Sequence, residues 1–489
     1  MKVHLNHKKL SVYTPYILFL ILVAIRVCQM AQKHEMHPDE VYSVMISQCN
    51  PHFYRSLPIG AYSGSEITST LVAAHGVAAD IKQLYIDNAN APHASLYYML
   101  LRLAITGIDT WSPPELLLAG CILNLIFFSI AFIFLYKAGR LLFPAARWAL
   151  CAMLALAFGC RASGESILLV REYEMATAAI IWFVYEIIRS LKLKQYDVIT
   201  MLRLCMAVAI VMSTGYLNAY FLTLSSLIYL IFTYRQTTFR HTLRVCLVLL
   251  SGLLVAQAMY IGYFNFILHD NPHTRMAFGQ LSTALSKTFL RDVCSQTFTW
   301  PGIGLILIIT ILPSCVKRLS ASRKMYDSSL LAMLISAAAL ISIFLVQYTS
   351  ILREARYSYP YIPLLALCLP VLISRYKEYH RVGLATAVTL FYLIVAVWES
   401  PTTAYGWSYL RYQLKDGAVL YNLNPNEIPL IAPVLTSGSV YKLDPKSDTI
   451  NYIINKRTVV HYKPDVIDTS RFTGRHLIGP LYIITPKYK

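Results

Sequence analysis

The sequence predicts an all-α polytopic membrane protein with a small carboxy-terminal α/β or mostly β domain outside the membrane. Three observations support this prediction: the composition, the placing of the basic residues, and a change of character after residue 400. Of the 489 residues, 56% are hydrophobic and 14% are charged, and the mean hydropathy is +0.51. Such values are typical of polytopic membrane proteins and argue against a soluble protein.

The basic residues set the predicted topology. The formal net charge is +18, but Lys and Arg cluster in short gaps between apolar segments, so no nucleic-acid partner is expected. Such gaps mark cytoplasmic loops under the positive-inside rule. Counting apolar segments against them predicts about eleven crossings, with the amino terminus inside and the carboxyl terminus outside. The predicted crossings are residues 12–31, 115–136, 147–163, 173–190, 198–215, 219–234, 244–264, 300–316, 328–348, 359–374 and 382–399.

A long outer loop, residues 32–114, follows the first crossing. Its apolar stretch 94–109 covers only about 24 Å as a helix, too short to cross a bilayer, and is predicted to be a juxtamembrane helix. Helices are also predicted at Asp39–Gln48 and Glu66–Tyr85, and a turn at Gly60–Gly64. Long structured loops usually carry function, so this one is a candidate site.

The last part of the chain, residues 400–489, is predicted to form a separate extracytoplasmic domain beside the membrane module 1–399. Its apolar runs are short and are interrupted by Pro, Gly, Asn and Asp, which is typical of strands joined by turns. The strand-like runs are Ala418–Tyr421, Thr449–Ile454, Thr458–Tyr462 and Leu481–Thr485.

Two adjacent carboxylates, Asp39 and Glu40, follow Pro38 at the predicted outer surface of the membrane. Acidic groups are costly at such a place without water, a metal ion or a basic partner, which indicates a chemical role such as removing a proton from an acceptor hydroxyl. The alternative is a structural one, because acids just after a proline also cap the start of a helix. The two interpretations are compatible.

Arginines occur at the outer ends of two predicted crossings, Arg171 at one and Arg353 with Arg356 at the other. A guanidinium group binds phosphate through two hydrogen bonds, so several of them around one cavity are suited to a phosphorylated lipid. The alternative for Arg171 is an ion pair with a neighbouring glutamate, at position 165, 172 or 174, or a contact to lipid headgroups.

Polar groups also enter the juxtamembrane helix, where His93 lies beside Tyr97 and Tyr98. Tyrosines at this depth ordinarily anchor a helix at the membrane surface, and a single histidine has several possible roles. Ten cysteines are scattered without metal-ligand spacing, and His37, Glu40 and His93 make no diagnostic metal set either. Dependence on a divalent metal is therefore left open.

Taken together, four features resemble the integral-membrane glycosyltransferases of the GT-C type, above all the protein O-mannosyltransferases and the lipid A aminoarabinose transferases. The resemblance covers about residues 12–375. The features are the Asp39-Glu40 pair, an HPPLYY-like helix at His93, an arginine-tyrosine step at Arg171 and Tyr173, and an RY-x-x-P-x-x-P segment that begins at Arg356. One departure is that Ala94-Ser95 replaces the prolines that follow the histidine in the family.

The resemblance implies transfer of a sugar from a polyprenyl-phosphate donor to a lipid, glycan or protein acceptor, with inversion at the anomeric carbon. It implies a multi-pass protein of the bacterial inner membrane that acts on the extracytoplasmic face. It assigns the catalytic role to Asp39 as base with Glu40 as companion, donor-phosphate binding to Arg171, Arg356 and Tyr357, and substrate binding to His93 and Tyr173. Tyr97 and Arg353 are further candidates for substrate binding because of their positions in the sequence.

Two other classes of protein share part of this pattern. A transporter or flippase of a lipid-linked or anionic substrate also has many crossings and arginines, but its charged groups are expected near mid-membrane on broken helices. A structural subunit of an envelope assembly would explain the carboxy-terminal domain but not the acid pair.

Overall fold

The protein is predominantly α-helical in the computed structural model, which describes most of the predicted membrane module and short parts of the carboxy-terminal region. The described residues are 7–33, 36–48, 60–72, 76–87, 95–108, 110–260, 295, 299, 301–303, 306, 323–349, 355–376, 378–398, 419–421, 432, 435–438, 440–443, 459–461, 472–478 and 481–486.

Sixteen α-helices can be followed through the described residues. In chain order they are α1 His7–Gln32, α2 Pro38–Ser47, α3 Gly64–Ser69, α4 Val77–Asp87, α5 Ser95–Ala104, α6 Pro113–Leu142, α7 Arg147–Gly159, α8 Arg161–Leu168, α9 Tyr173–Leu193, α10 Val198–Ser213, α11 Ala219–Gln236, α12 Phe239–Met259, α13 Arg323–Thr349, α14 Ile362–Leu365, α15 Cys368–Ile373 and α16 Glu378–Trp398. The 3-10 helices Tyr216–Asn218 and Ala355–Tyr361 precede α11 and α14.

Helices coincide with ten of the eleven predicted crossings, and the remaining one, 300–316, lies largely outside the described residues. By length and apolar composition, seven of the described helical segments are able to span a membrane, or eight if the bent pair α7–α8 is one span. Two of the ten predicted crossings that coincide with helices are not among these segments. Helix α9 carries Glu174, Glu186 and Arg189 within its apolar sequence, and α10 has only 16 residues. The polytopic helical fold is confirmed, whereas the number of crossings stays a prediction.

A buried arginine holds three of the long helices together where α7 and α8 meet at an angle of 52°. Such a break leaves backbone carbonyl groups without an intrahelical donor, which is costly away from water. Arg26 of α1 donates one hydrogen bond to the carbonyl oxygen of Phe158 and another to Gln29, both at 2.7 Å. Gln29 in turn donates to the carbonyl oxygen of Ala396 in α16, at 2.8 Å. The break is therefore stabilised by side chains of α1.

The predicted helices of the outer loop are present, and they have a hydrophobic core of their own. Helices α2 and α5 match two of the predictions, while the predicted helix Glu66–Tyr85 is divided into α3 and α4. Buried side chains that include Met36, Val41, Tyr97 and Leu117 pack α2 and α5 against the start of α6. Arg102 of α5, which makes that helix a poor candidate for a crossing, forms a buried ion pair of 2.7 Å with Asp80 of α4.

A six-stranded mixed sheet joins the outer loop to the carboxy-terminal region. Its strands, in chain order, are β1 Gly60–Ser63, β2 Val419–Tyr421, β3 Val440–Leu443, β4 Val459–His461, β5 Phe472–Ile478 and β6 Leu481–Pro486. The spatial order is β1-β3-β2-β4-β6-β5, with β2 parallel to β3 and β4 and the other pairs antiparallel. Three predicted strand-like runs coincide with β2, β4 and β6 to within one residue at each end, and Thr449–Ile454 lies outside the described residues.

The prediction of a turn at Gly60–Gly64 is wrong. Residues Gly60–Ser63 form β1, which pairs antiparallel with β3 and places Gly60 opposite Leu443. Local composition indicates a turn because glycine is rare in strands, but a partner strand almost 400 residues away supplies the backbone hydrogen bonds. Ser63 then caps α3, since its hydroxyl accepts from the Glu66 N–H at 3.1 Å.

Gly159 provides a test of how closely α7 approaches α16. A Cβ atom at this position would lie 2.7 Å from the carbonyl oxygen of Tyr392, a backbone atom that has little freedom to move. We expect Gly159→Ala to destabilise the fold by roughly 1–3 kcal/mol through overpacking. The apparent melting temperature of the purified protein in detergent measures this change. Gly383→Ala is the matched control, because a Cβ at this helical glycine of α16 meets nothing within 4 Å. Equal melting temperatures for the two variants would contradict the predicted packing.

Candidate active site

The first turn of α2 presents the two carboxylates in different directions. His37 is the residue that caps this helix: its Nδ1 accepts a hydrogen bond from the Asp39 N–H at 3.2 Å. The Glu40 carboxylate accepts from the His37 N–H at 2.7 Å, which completes a capping box. Burial lowers the pKa of His37 from its ordinary value of 6.5, with Asp39 and Glu40 opposing the effect. The neutral form that burial favours leaves Nδ1 available as the acceptor.

Glu40 points into the protein and is fully buried. Its Oε1 forms an ion pair with the Lys33 ammonium group and also accepts from the Val170 N–H at 2.8 Å. The Lys33 ammonium group donates a second hydrogen bond to the carbonyl oxygen of Leu168. A buried carboxylate is tolerated only when it is paired in this manner. All these contacts indicate a cap and an anchor, the structural interpretation that the sequence left open for Glu40.

Asp39 points outward from the same helix turn. Its side chain is 22% exposed, and its carboxylate forms an ion pair with the guanidinium group of Arg356. The Nδ1 atom of His37 lies 3.7 Å from Asp39 Oδ2. Of the two adjacent acids, Asp39 is therefore the one that a small molecule can reach.

Arg171, on the turn between α8 and α9, lies beside the first turns of α2. Its Nη1 is 3.5 Å from the carbonyl oxygen of Asp39 and 3.4 Å from the Ser43 hydroxyl, which are long for hydrogen bonds. Its Nε lies 3.5 Å from Glu172, whose carboxylate also accepts from the Tyr98 hydroxyl at 2.9 Å. Among the glutamates that the sequence offered as partners, Glu172 is thus the neighbour of Arg171.

Glu165 and Glu174, the other two candidate partners, are used elsewhere. Glu165 forms an ion pair of 2.7 Å with Arg161 and accepts a hydrogen bond from Tyr359. Glu174 is buried at the start of α9.

Arg356 contacts Asp39 from the 3-10 helix Ala355–Tyr361, next to a group of tyrosine rings. The guanidinium carbon lies 5.7 Å from the centre of the Tyr357 ring. Tyr173 of α9 makes edge-to-face contacts with Tyr357 at 6.0 Å and with Tyr359 at 6.4 Å. The arginine-tyrosine step of α9 and the RY-x-x-P-x-x-P segment thus meet at one place.

The charges at this site compensate one another in pairs. Three carboxylates and three cationic groups form three ion pairs. The pairs are Asp39 with Arg356, Glu40 with Lys33, and Glu172 with Arg171. An incoming anion would therefore compete with a carboxylate for its arginine.

Of the three remaining predicted site residues, the structure describes Tyr97. Tyr97 is fully buried in α5 and donates to Asn124 at 3.1 Å, so it lies behind the site rather than at its surface. Asn124 donates to the carbonyl oxygens of Ile167 and Leu169, at 3.0 and 2.7 Å. His93 and Arg353 lie outside the described residues.

Sequence reasoning missed Lys33 and Asn124, which both hold the turn that carries Arg171. One signal for Lys33 was available, because a lysine at the predicted outer end of a crossing departs from the positive-inside rule. Asn124 lies inside an otherwise apolar helix, but nothing in the sequence names its partners. Within the described residues, no group of three or more His, Cys, Asp or Glu side chains is placed to hold a metal ion.

Comparison with known proteins gives the fold. No protein-family model and no curated protein matches the sequence. Among solved structures, ArnT from Cupriavidus metallidurans bound to undecaprenyl phosphate matches with a TM-score of 0.52 and 9% identity, over 99% of this chain and 98% of that chain. The same protein in its apo state matches with a TM-score of 0.53 and 12% identity, over 96% and 97% of the two chains.

Identities this low establish a common fold and no more, but the match extends over nearly the whole of both chains. ArnT is a lipid A aminoarabinose transferase of the GT-C superfamily. The resemblance that the motifs indicated is therefore confirmed at the level of architecture: this chain has the fold of ArnT.

Proposed function

We propose that the protein is a glycosyltransferase that moves a sugar from a polyprenyl-phosphate donor to an acceptor hydroxyl at the extracytoplasmic face of the bacterial inner membrane. The observation that carries the proposal is the ion pair between Asp39 and Arg356, on a partly exposed carboxylate beside Arg171. A base next to phosphate-binding groups is what transfer from a lipid phosphate requires. The donor class is supported by the GT-C fold and by the undecaprenyl phosphate bound to the similar ArnT structure.

In the proposed reaction Asp39 takes the proton of the acceptor hydroxyl while its oxygen attacks the anomeric carbon. The new carbon–oxygen bond forms on the face opposite the phosphate, so the configuration inverts. The bond from the anomeric carbon to the phosphate oxygen breaks, and its electron pair leaves with the lipid phosphate. Arg356 and Arg171 stabilise that phosphate as negative charge develops on it.

The ion pair also suggests an order of events. The donor phosphate competes with Asp39 for Arg356, and its binding removes the counter-ion of the carboxylate. A carboxylate without its counter-ion holds a proton more readily, which favours its action as a base. Asp39 is thus released for catalysis by the donor itself.

The transporter alternative is supported by one feature, the broken helix pair α7–α8 with Arg26 buried beside it. However, two amino groups of this guanidinium are bonded to Gln29 and to the Phe158 carbonyl oxygen. These contacts stabilise the break itself, so they favour a structural role for Arg26 over a substrate-binding one.

The role of Asp39 is tested by Asp39→Asn. We expect transfer from a polyprenyl-phosphate sugar in membranes to fall about 10²–10⁴-fold, because the general base is lost. Binding of undecaprenyl phosphate should be retained or become tighter, since Arg356 no longer has a competing carboxylate. Asp197→Asn is the matched control: Asp197 caps α10 by accepting from the Thr200 N–H at 2.8 Å, and asparagine caps equally well. Full transfer by Asp39→Asn would refute the mechanism.

The role of Arg356 is tested by Arg356→Ala. Undecaprenyl phosphate should bind roughly 10–100-fold more weakly, the effect of losing a hydrogen bond to a charged group, while the KM for the acceptor changes less. Equilibrium binding of the lipid phosphate and transfer kinetics with each substrate varied in turn measure the two effects. Arg235→Ala, at an exposed position in the last turn of α11, serves as control. Equal losses toward donor and acceptor would argue against phosphate binding.

The cap at His37 predicts a pH dependence. Because burial lowers the pKa of His37 below 6.5, the residue stays neutral near pH 7 and takes up a proton only as the pH falls further. Protonation of Nδ1 would remove the acceptor of the Asp39 N–H and place a cation next to Arg356. We expect activity to be lost on the acid side, and His37→Asn, which keeps a capping side chain without titrating, to move that loss to lower pH. An unchanged pH profile would contradict this role.

A further inference from the structure

We propose that Lys33 is a positioning residue, which through Glu40 holds Asp39 and Arg171 in the arrangement needed for transfer. This inference rests on the proposed function for its catalytic consequence. Lys33 follows directly on the last residue of α1, and its ammonium group contacts both the Glu40 carboxylate and the Leu168 carbonyl oxygen. One side chain therefore ties the end of the first long helix to α2 and to the turn after α8.

The two residues held by this pair are the neighbours of the proposed catalytic groups. Glu40 directly follows Asp39 in the first turn of α2, and Val170, whose N–H binds Glu40, directly precedes Arg171. A displacement of the Lys33–Glu40 pair would therefore move the base and one phosphate-binding group relative to each other. A misplacement of 1 Å can lower a rate by about 10²-fold.

Residues 167–170, the end of α8 and the start of the turn before α9, take several of their hydrogen-bond partners from side chains of other segments. Four side chains bind it: Lys33 and the Cys121 thiol donate to the carbonyl oxygen of Leu168, Glu40 accepts from the Val170 N–H, and Asn124 donates to the carbonyl oxygens of Ile167 and Leu169. Buried backbone groups that lose such a partner are costly. These side-chain contacts therefore help to fix the position of the turn, beside its backbone hydrogen bonds from Leu169 N–H to the Glu165 carbonyl oxygen and from Arg171 N–H to the Leu169 carbonyl oxygen.

Gly120 of α6 packs closely against the turn. A Cβ atom at Gly120 would overlap the side chain of Val170, so α6 and the turn are already in the closest contact that they allow. Val170 thus contacts Gly120 through its side chain and the Glu40 carboxylate through its N–H. This packing makes the position of Arg171 sensitive to loss of the Lys33–Glu40 pair.

The test is Lys33→Met, with Lys33→Arg as the conservative variant. We expect kcat at saturating donor to fall about 10–100-fold, in line with a misplaced base. The Kd for undecaprenyl phosphate should rise by a smaller factor than kcat falls, because Arg171 is displaced but Arg356 lies on a separate segment. Lys33→Arg should restore most of kcat, because arginine keeps the charge and the donors.

Lys192→Met is the matched control. Lys192, near the end of α9, is also a partly buried lysine, and its ammonium group donates to Ser328. If Lys33→Met acted only through stability, a Lys192→Met variant with a similar loss of melting temperature would lose kcat equally, and that outcome would overturn the proposal. A loss of donor affinity larger than the loss of kcat would assign Lys33 to phosphate binding and overturn it as well.

Hydrogen exchange and a second variant test the role of Lys33 even if the proposed transfer activity is not observed. Amide hydrogen exchange over residues 168–172 should become faster in Lys33→Met and stay unchanged in Lys192→Met, whether or not transfer is observed. If Lys33→Met does not fold, Glu40→Gln replaces it: this variant keeps the acceptor for the Val170 N–H and removes the ionic attraction to Lys33. Unchanged exchange at 168–172 in these variants would show that the pair does not hold the turn.

Discussion

The buried Glu40 carboxylate is the interaction on which the site depends. A charge with no exposed surface must be fully paired, and Glu40 finds its partners in Lys33, the Val170 N–H and the His37 N–H. These partners come from three separate parts of the chain. Satisfying one carboxylate therefore brings together the end of α1, the start of α2 and the turn before α9. Asp39 is left facing outward, because the adjacent residue on the helix points elsewhere.

The compensation of charges explains how so many ionic groups are kept at this place. Arg171 and Arg356 are almost fully buried, and each lies beside a carboxylate. Under the proposed function, the anionic lipid phosphate would have to displace a carboxylate from an arginine, because the ionic groups of the site are already paired. The Asp39–Arg356 pair is the more exposed of the two, and it is the pair in which displacement would release a base. The same ion pairs thus stabilise the site without substrate and, under the proposed function, supply the groups that react with it.

Sequence patterns predicted the helices well and the site in part. Apolar length and the placing of basic residues located α1, α6 and the later long helices, since burial in lipid demands continuous apolar segments with internal hydrogen bonds. The acid pair and the arginines were identified because charges are expensive beside a membrane. Lys33 and Asn124 were missed, and Tyr97 was placed at the site although it is buried behind it. Strand β1 was missed because its partner β3 is distant in the chain.

The sequence by itself determined the class of protein, the positions of most helices and the residue types that indicate phosphate and proton chemistry, because these follow from hydropathy and charge along the chain. Only the tertiary structure decided which of the two acids is accessible and which arginine faces it. It also decided that β1 belongs to the carboxy-terminal sheet. The reason is physical. Ion pairing and burial depend on contacts between residues such as Glu40 and Val170, which are 130 positions apart, and no local sequence pattern predicts such contacts.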